Sequence, residues 1–257
     1  MIRGILIDLS GVIYIGEGPV ADARDALSRI RESGLPVRFL TNTTRTPKRS
    51  LLERLSRMGF DIAAEDIFTP AQAARERLIE RRLTPHLLIH PALEEDFRNL
   101  PSSTDGDRAV VVGDAGDGFT YKALNAAFRE LAKGADFLAL ARNRTFLDAD
   151  GELSLDTGAF IAALEYACGR TATVLGKPSA DFYAEAARDM DVQLDDLVMI
   201  GDDVESDVSG ALATGVGQAL LVRTGKYTPG AEAAADPEPT AVVDDIGAAA
   251  DWILARL

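Results

Sequence analysis

Four short polar clusters follow four apolar runs, and their side chains are of the kinds that move phosphoryl groups. Asp8-Leu9-Ser10-Gly11 offers a carboxylate, a hydroxyl and a tight turn. Thr41-Asn42 offers a hydroxyl and an amide, Gly176-Lys177-Pro178 an ammonium, and Gly201-Asp202-Asp203 with Asp207 further carboxylates. Three acids gathered in one place repel one another unless a cation sits among them. A hard cation that takes oxygen ligands and prefers phosphates is Mg²⁺. In such a set Asp8 is a carboxylate nucleophile and Lys177 pairs with both the nucleophile and a phosphate oxygen. Thr41 and Asn42 donate hydrogen bonds to the phosphate, and backbone N–H groups of the Ser10-Gly11 turn line it. The chemistry this predicts is phosphoryl transfer by positioning and charge neutralisation.

Elements must bring these clusters together. Ile2–Leu9 reads as a buried strand, Val20, Ala23, Leu27 and Ile30 recur at helical spacing, and Val37–Leu40 reads as a second strand. Leu51, Leu52, Leu55 and Met58 mark a second helix, and Thr69-Pro70-Ala71-Gln72 opens a third with the pattern of a capping box. This βαβα grammar predicts a parallel sheet with helices on its faces, whose ligands bind at the carboxyl ends of the strands. From about residue 80 to 172 the same grammar recurs in shorter pieces. Thr173-Val174-Leu175, Leu197–Ile200 and Ala219–Val222 are expected to return to the first sheet. Ile246–Leu257 reads as a closing helix, and the Gly-, Pro- and Ala-rich stretch from Thr224 to Thr240 as a loop.

Quoted in order, Asp8-Leu9-Ser10-Gly11-Val12, Leu40-Thr41-Asn42, Gly176-Lys177-Pro178-Ser179 and Gly201-Asp202-Asp203-Val204-Glu205-Ser206-Asp207 resemble the four motifs of the haloacid dehalogenase superfamily. The long insert between the second and third motifs is where the C2-type cap of the NagD-like subfamily (IIA) lies. Ala163–Cys168 and Val222–Tyr227 resemble a narrower group within it. The resemblance implies an α/β, Rossmann-like core over 1–79 and 173–257, with an inserted α/β cap over 80–172. It further implies that Asp8 forms an aspartyl-phosphate. Asp8, the backbone carbonyl of Ser10 and Asp202 would bind Mg²⁺, supported by Asp203 and Asp207. Thr41, Asn42 and Lys177 would hold the phosphate, and the cap would read the rest of a small phosphorylated substrate. Asn143 and Arg144, with Arg142, follow a strand of the insert and are the residues expected to reach it. A homodimer formed through the cap is compatible with it.

Ser10 departs from that pattern. Most phosphatases of the superfamily carry a second aspartate there, which protonates the leaving group and then activates water. A neutral hydroxyl cannot do this near pH 7. General acid–base help is worth ~10²–10⁴-fold, so substrates with easy leaving groups, such as pyrophosphate or nitrogen-linked phosphates, are expected to be favoured over alkyl esters. The alternatives are a dehalogenase-type hydrolase, which also lacks the second aspartate but needs no metal, and a catalytically weak phosphate-binding protein.

Composition limits the partners. The 257 residues carry 27 basic and 41 acidic side chains, a net charge of -14. That argues against nucleic acid or an anionic membrane, which need a basic face. No apolar run reaches the ~18 residues of a membrane span, one cysteine excludes an intrachain disulfide, and the expected setting is cytoplasmic. His86 and His90 are too few for a His-rich metal site and are expected to pack or face water. Arg45, Lys48 and Arg49 are expected on a solvated helix face, and Cys168 and Trp252 in the core.

Overall fold

The computed structural model describes residues 1–100, 107–147 and 152–257. In chain order its strands and helices are β1 (Gly4–Asp8), β2 (Tyr14–Ile15), β3 (Gly18–Pro19), α1 (Ala23–Glu32), β4 (Val37–Leu40), α2 (Lys48–Arg57), β5 (Ile67–Phe68), α3 (Pro70–Glu80), β6 (Thr84–Leu88), β7 (Arg108–Val112), α4 (Tyr121–Ala132) and β8 (Asp136–Ala139). There follow β9 (Thr145–Leu147), β10 (Leu153–Leu155), α5 (Thr157–Cys168), β11 (Thr173–Val174), α6 (Ala180–Asp189), β12 (Leu197–Gly201), α7 (Gly210–Ala213), β13 (Gln218–Val222), β14 (Ala241–Val243) and α8 (Ile246–Leu254). Between β12 and α7, Val204–Ser209 forms a π-helical turn. The chain divides into two compact units, Met1–Thr41 with Leu52–Phe68 and Lys177–Leu257, and Asn42–Leu51 with Thr69–Gly176.

The first unit is built on a six-stranded sheet in the order β14-β13-β12-β1-β4-β5, parallel throughout. Every residue of β1 and β12 is buried. Uninterrupted apolar runs such as Ile5-Leu6-Ile7 and Val198-Met199-Ile200 are what a strand covered on both faces requires. From β1 the chain steps outward to β4 and β5, and later returns to the other side for β12, β13 and β14. The order therefore reverses between β1 and β12, and the crevice beyond their carboxyl ends is where such sheets bind ligands.

The second unit carries a four-stranded parallel sheet, β11-β8-β7-β6. One face packs Ala71, Ala74 and Leu78 of α3, and the other packs Ala127 and Leu131 of α4 with Ile161 and Leu164 of α5. β9 and β10 form a separate antiparallel hairpin.

Three segments fall on the other side of the division from the expected 80 and 173 boundaries, the first being Asn42–Leu51, which joins the second unit. α3 belongs to the second unit, where its apolar face meets Val111 and Leu138. Thr173–Val174 does not return to the first sheet: it pairs with β8, and Leu175 is buried in the second unit's core. A strand of two residues with one exposed side chain has too little apolar pattern to say which sheet it joins. Trp252 is half-buried beneath the Arg256 guanidinium, 3.8 Å from its ring centroid, rather than in the core. Among the described residues no helix is long and apolar enough to cross a membrane.

Candidate active site

Three of the predicted clusters meet in the first unit at the carboxyl ends of β1 and β12. Asp8 closes β1, Asp202 follows β12, and Asp207 sits in the π-helical turn beyond it. All three are at most 5 % exposed, and each offers a carboxylate oxygen within 4.8 Å of the others'. Lys177, 2 % exposed, lies among them. Its ammonium pairs with Asp8 Oδ1, sits 2.7 Å from Asp207 Oδ1, and donates to the Leu40 carbonyl at the end of β4 at 3.5 Å. The strand ends thus converge through one side chain.

The electrostatics show what the cluster lacks. Three carboxylates face one ammonium, which leaves two charges uncompensated in a dry place, where unpaired charge is expensive. Burial pushes the Asp8 carboxyl well above the usual range; Lys177 opposes this, and Asp207 and Asp202 add to it. Burial and Asp207 likewise push Asp202 up to about 7. Burial alone would lower the Lys177 ammonium, but Asp207 and Asp8 outweigh it and hold the group charged. Asp8 Oδ2 is buried with no hydrogen-bond partner. An orphaned carboxylate oxygen, a surplus of two negative charges and an all-oxygen donor set fit a divalent ion of the Mg²⁺ kind.

The backbone is shaped around Asp202. Gly11 has φ +96°, and a Cβ there would run into the Asp202 carboxylate. Only glycine takes that conformation and that approach together. Ser10, just before it, is exposed. Asp203 points elsewhere: its Oδ1 accepts the Glu205 and Ser206 amides at 3.0 Å and so caps the π-helical turn, and its Oδ2 pairs with Lys226 at 2.9 Å. Burial would raise its carboxyl, but the Lys226 pairing and the Ser206 amide outweigh that and hold it below the ordinary value. The groups brought together are therefore Asp8, Asp202, Asp207 and Lys177, with Asp203 supporting the turn that carries Asp207.

Thr41 is buried at the end of β4, and its amide donates to the Phe68 carbonyl at 3.2 Å. Asn42, Asn143 and Arg144 belong to the second unit. Asn42 lies against Gly176, where a Cβ would come within 2.5 Å of its Oδ1. The Asn143 and Arg144 carbonyls accept the Gly158 and Asp156 amides at 2.9 and 3.0 Å and shape the start of α5.

The basic residues after the second cluster are engaged rather than merely solvated. Arg45 pairs with Asp114 at 2.5 Å, Lys48 donates to Gln72 at 2.6 Å, and Arg49 pairs with Glu95 at 2.7 Å. His90 accepts the Ala92 amide and caps a short turn, and Cys168 is half-buried against the second unit's core. Sequence reasoning gave no site role to the loop after β13. Lys226 donates its main-chain N–H to Asp202 Oδ2 at 2.7 Å, and the glycine before it, set between two polar residues at a strand end, was the available signal.

A doubly wound parallel sheet with a buried carboxylate cluster at its reversal point defines a Rossmann-like α/β protein whose site is suited to a divalent ion. The model of the haloacid dehalogenase-like hydrolases matches residues 5–118, and a second model of the same group matches 174–249. The rat haloacid dehalogenase-like hydrolase domain-containing protein 2 is 42% identical over 100% of this chain and 98% of its own. The zebrafish phospholysine phosphohistidine inorganic pyrophosphate phosphatase is 40% identical over 98% and 94%. Among solved structures, the 4-nitrophenylphosphatase of Thermotoga maritima aligns with a TM-score of 0.87 at 24% identity, covering 97% of each chain. A glycerol phosphate phosphatase of Mycobacterium tuberculosis in complex with magnesium aligns at 0.81 and 27%, covering 95% of this chain and 75% of that one. The chain belongs to the haloacid dehalogenase-like hydrolases.

Proposed function

We propose that the protein is a Mg²⁺-dependent phosphatase working through an aspartyl-phosphate on Asp8, and that it favours pyrophosphate and nitrogen-linked phosphates over alkyl esters. The observation that carries the reading is Asp8 itself: one oxygen held by Lys177, the other buried and unpartnered beside Asp202 and Asp207. Asp8, the Ser10 carbonyl and Asp202 would hold the ion, with Asp207 and Asp203 behind them. When bound, the ion supplies charge neutralisation to the carboxylates and to the phosphoryl oxygens.

The Asp8 carboxylate attacks phosphorus as the bond to the leaving group breaks, and the leaving group departs with its electron pair. Lys177 holds the carboxylate in place and faces the developing charge, while Thr41 and Asn42 steady the phosphoryl oxygens. Water then opens the aspartyl-phosphate, releasing phosphate and restoring Asp8. At Ser10 there is no carboxylic acid to give the leaving group a proton. Leaving groups that are weakly basic, or whose nitrogen is already protonated, need that help least. The compound name of the zebrafish relative, which pairs phospholysine and phosphohistidine with pyrophosphate, is consistent with this preference.

The test is a steady-state comparison of imidodiphosphate and pyrophosphate with a sugar phosphate in the presence of Mg²⁺. The first two are expected to have the higher kcat/KM. Ser10→Asp is expected to raise sugar-phosphate hydrolysis by up to ~10²-fold. A wild-type preference for the sugar phosphate, or no gain in the variant, would mean that another group already supplies the proton.

A further inference from the structure

The loop that follows β13 lies outside the four clusters, yet it touches two of them. Three bonds tie it there, all within the first unit. The Lys226 main-chain N–H donates to Asp202 Oδ2 at 2.7 Å, and the Lys226 ammonium pairs with Asp203 Oδ2 at 2.9 Å. The Thr224 hydroxyl donates to the Gly11 carbonyl at 2.5 Å. Between them Gly225 has φ +63°, and a Cβ there would collide with Asp202 Oδ2 and the Gly11 Cα. The strand order explains the reach: β13 neighbours β12, which neighbours β1, so a loop leaving β13 crosses the ends of both site strands.

We propose that Thr224 and Lys226 are positioning residues that fix the Asp202 carboxylate and the Ser10-Gly11 turn relative to each other, and thereby set the affinity of the site for its divalent ion. The inference rests on the Mg²⁺-dependent reading above. With Asp202 Oδ2 taken by an amide, the carboxylate cannot rotate and its other oxygen is the one left for an ion. With the Gly11 carbonyl held by a hydroxyl, the peptide chain just after the Ser10 carbonyl is fixed as well. Neither residue is expected to meet the phosphoryl group, so neither acts on chemistry directly. Partners that orient metal ligands are typically worth 10–100-fold in affinity when removed.

Positioning and simple charge make opposite forecasts for Lys226. Deleting a cation beside a cation site should tighten ion binding by Coulomb's law, although the ammonium is well exposed and its field is screened. Deleting a positioning residue should loosen it. Isothermal titration with Mg²⁺ alone therefore tests the proposal on the full-length wild-type protein and the variants Thr224→Val, Thr224→Ser and Lys226→Met. Thr224→Val, which keeps the shape and loses the hydroxyl, and Lys226→Met, which keeps the main-chain N–H but cuts the ammonium anchor to Asp203 that holds it in place, are each expected to raise the Mg²⁺ dissociation constant roughly 10-fold or more. Thr224→Ser is expected to restore wild-type binding. Pyrophosphate turnover should follow, with reduced rates at low Mg²⁺ and recovery of kcat at saturating Mg²⁺.

Wild-type affinity in Thr224→Val, tighter binding in Lys226→Met, or failure of Thr224→Ser to restore binding would overturn the proposal while leaving the phosphatase reading intact. A wild-type protein that binds no Mg²⁺ at all would overturn both, and is seen in the first titration before any variant is compared.

Discussion

Asp8 is poised at a cost to the fold. Its carboxyl is held well above the ordinary range by burial, a shift that Lys177 only partly offsets and that Asp207 and Asp202 deepen. Ionising it without a cation is therefore uphill, which is how strained functional groups trade stability for activity. Asp8→Asn keeps the shape and removes the charge. It is expected to lower turnover on the order of 10⁴-fold or more, as loss of a nucleophile does, and to raise the metal-free melting temperature at pH 8 by about 2–4 °C for each kcal/mol relieved. Differential scanning calorimetry decides: a lower melting temperature would mean that attraction to Lys177 outweighs the burial of charge. At this scale the sequence was informative because acids and a lysine at strand ends are rarely there for packing. It was silent on which oxygen each group would face. The split between Asp202, turned into the cluster, and Asp203, turned to cap the π-helical turn, depends on a loop 24 and 23 residues further along the chain.

Elements were legible where a long apolar period and a clear end coincided. β1, β7, β12 and β13 are continuous apolar runs, and α8 begins close to where its periodicity does. Short pieces were not legible: the β2–β3 ribbon and the placement of β11 rest on tertiary pairing rather than on their own residues. The start of α3 shows both halves of the lesson. The Thr69 hydroxyl accepts the Gln72 amide at 3.2 Å, as the pattern predicts. Gln72 does not reach back, because its amide group is engaged by Lys48 at 2.6 Å and Glu76 at 2.9 Å. The cap is thus one-sided. Thr69→Ala is expected to cost about 1 kcal/mol in urea unfolding, the usual worth of an N-cap hydroxyl. Gln72→Ala, which breaks only exposed or shared bonds, is expected to cost less than half of that. Equal losses would show that the reciprocal half of the box forms in solution.

At the scale of the whole chain, a net charge of -14 and a buried acidic cluster make stability depend on protons and cations together. Asp202 sits at about 7 in the folded protein against 3.8 for the free side chain. The folded state therefore binds a proton that the unfolded state releases. As pH rises from about 4 to about 7, this group takes stability away from the ion-free protein, and above that window the loss is complete. A divalent ion reverses the balance, because it binds the deprotonated carboxylate and folded protein alone assembles the site. Below pH 7 the ion must first displace the Asp202 proton; above it, that competition falls away. The stabilisation by a fixed Mg²⁺ concentration is accordingly expected to be larger at pH 8 than at pH 6, read as the shift in melting temperature by scanning calorimetry. The difference should shrink in Asp202→Asn, which has no proton to displace. A shift that is the same at both pH values in the wild-type protein would show that the ion does not bind through Asp202, and would move the metal ligands elsewhere in the cluster.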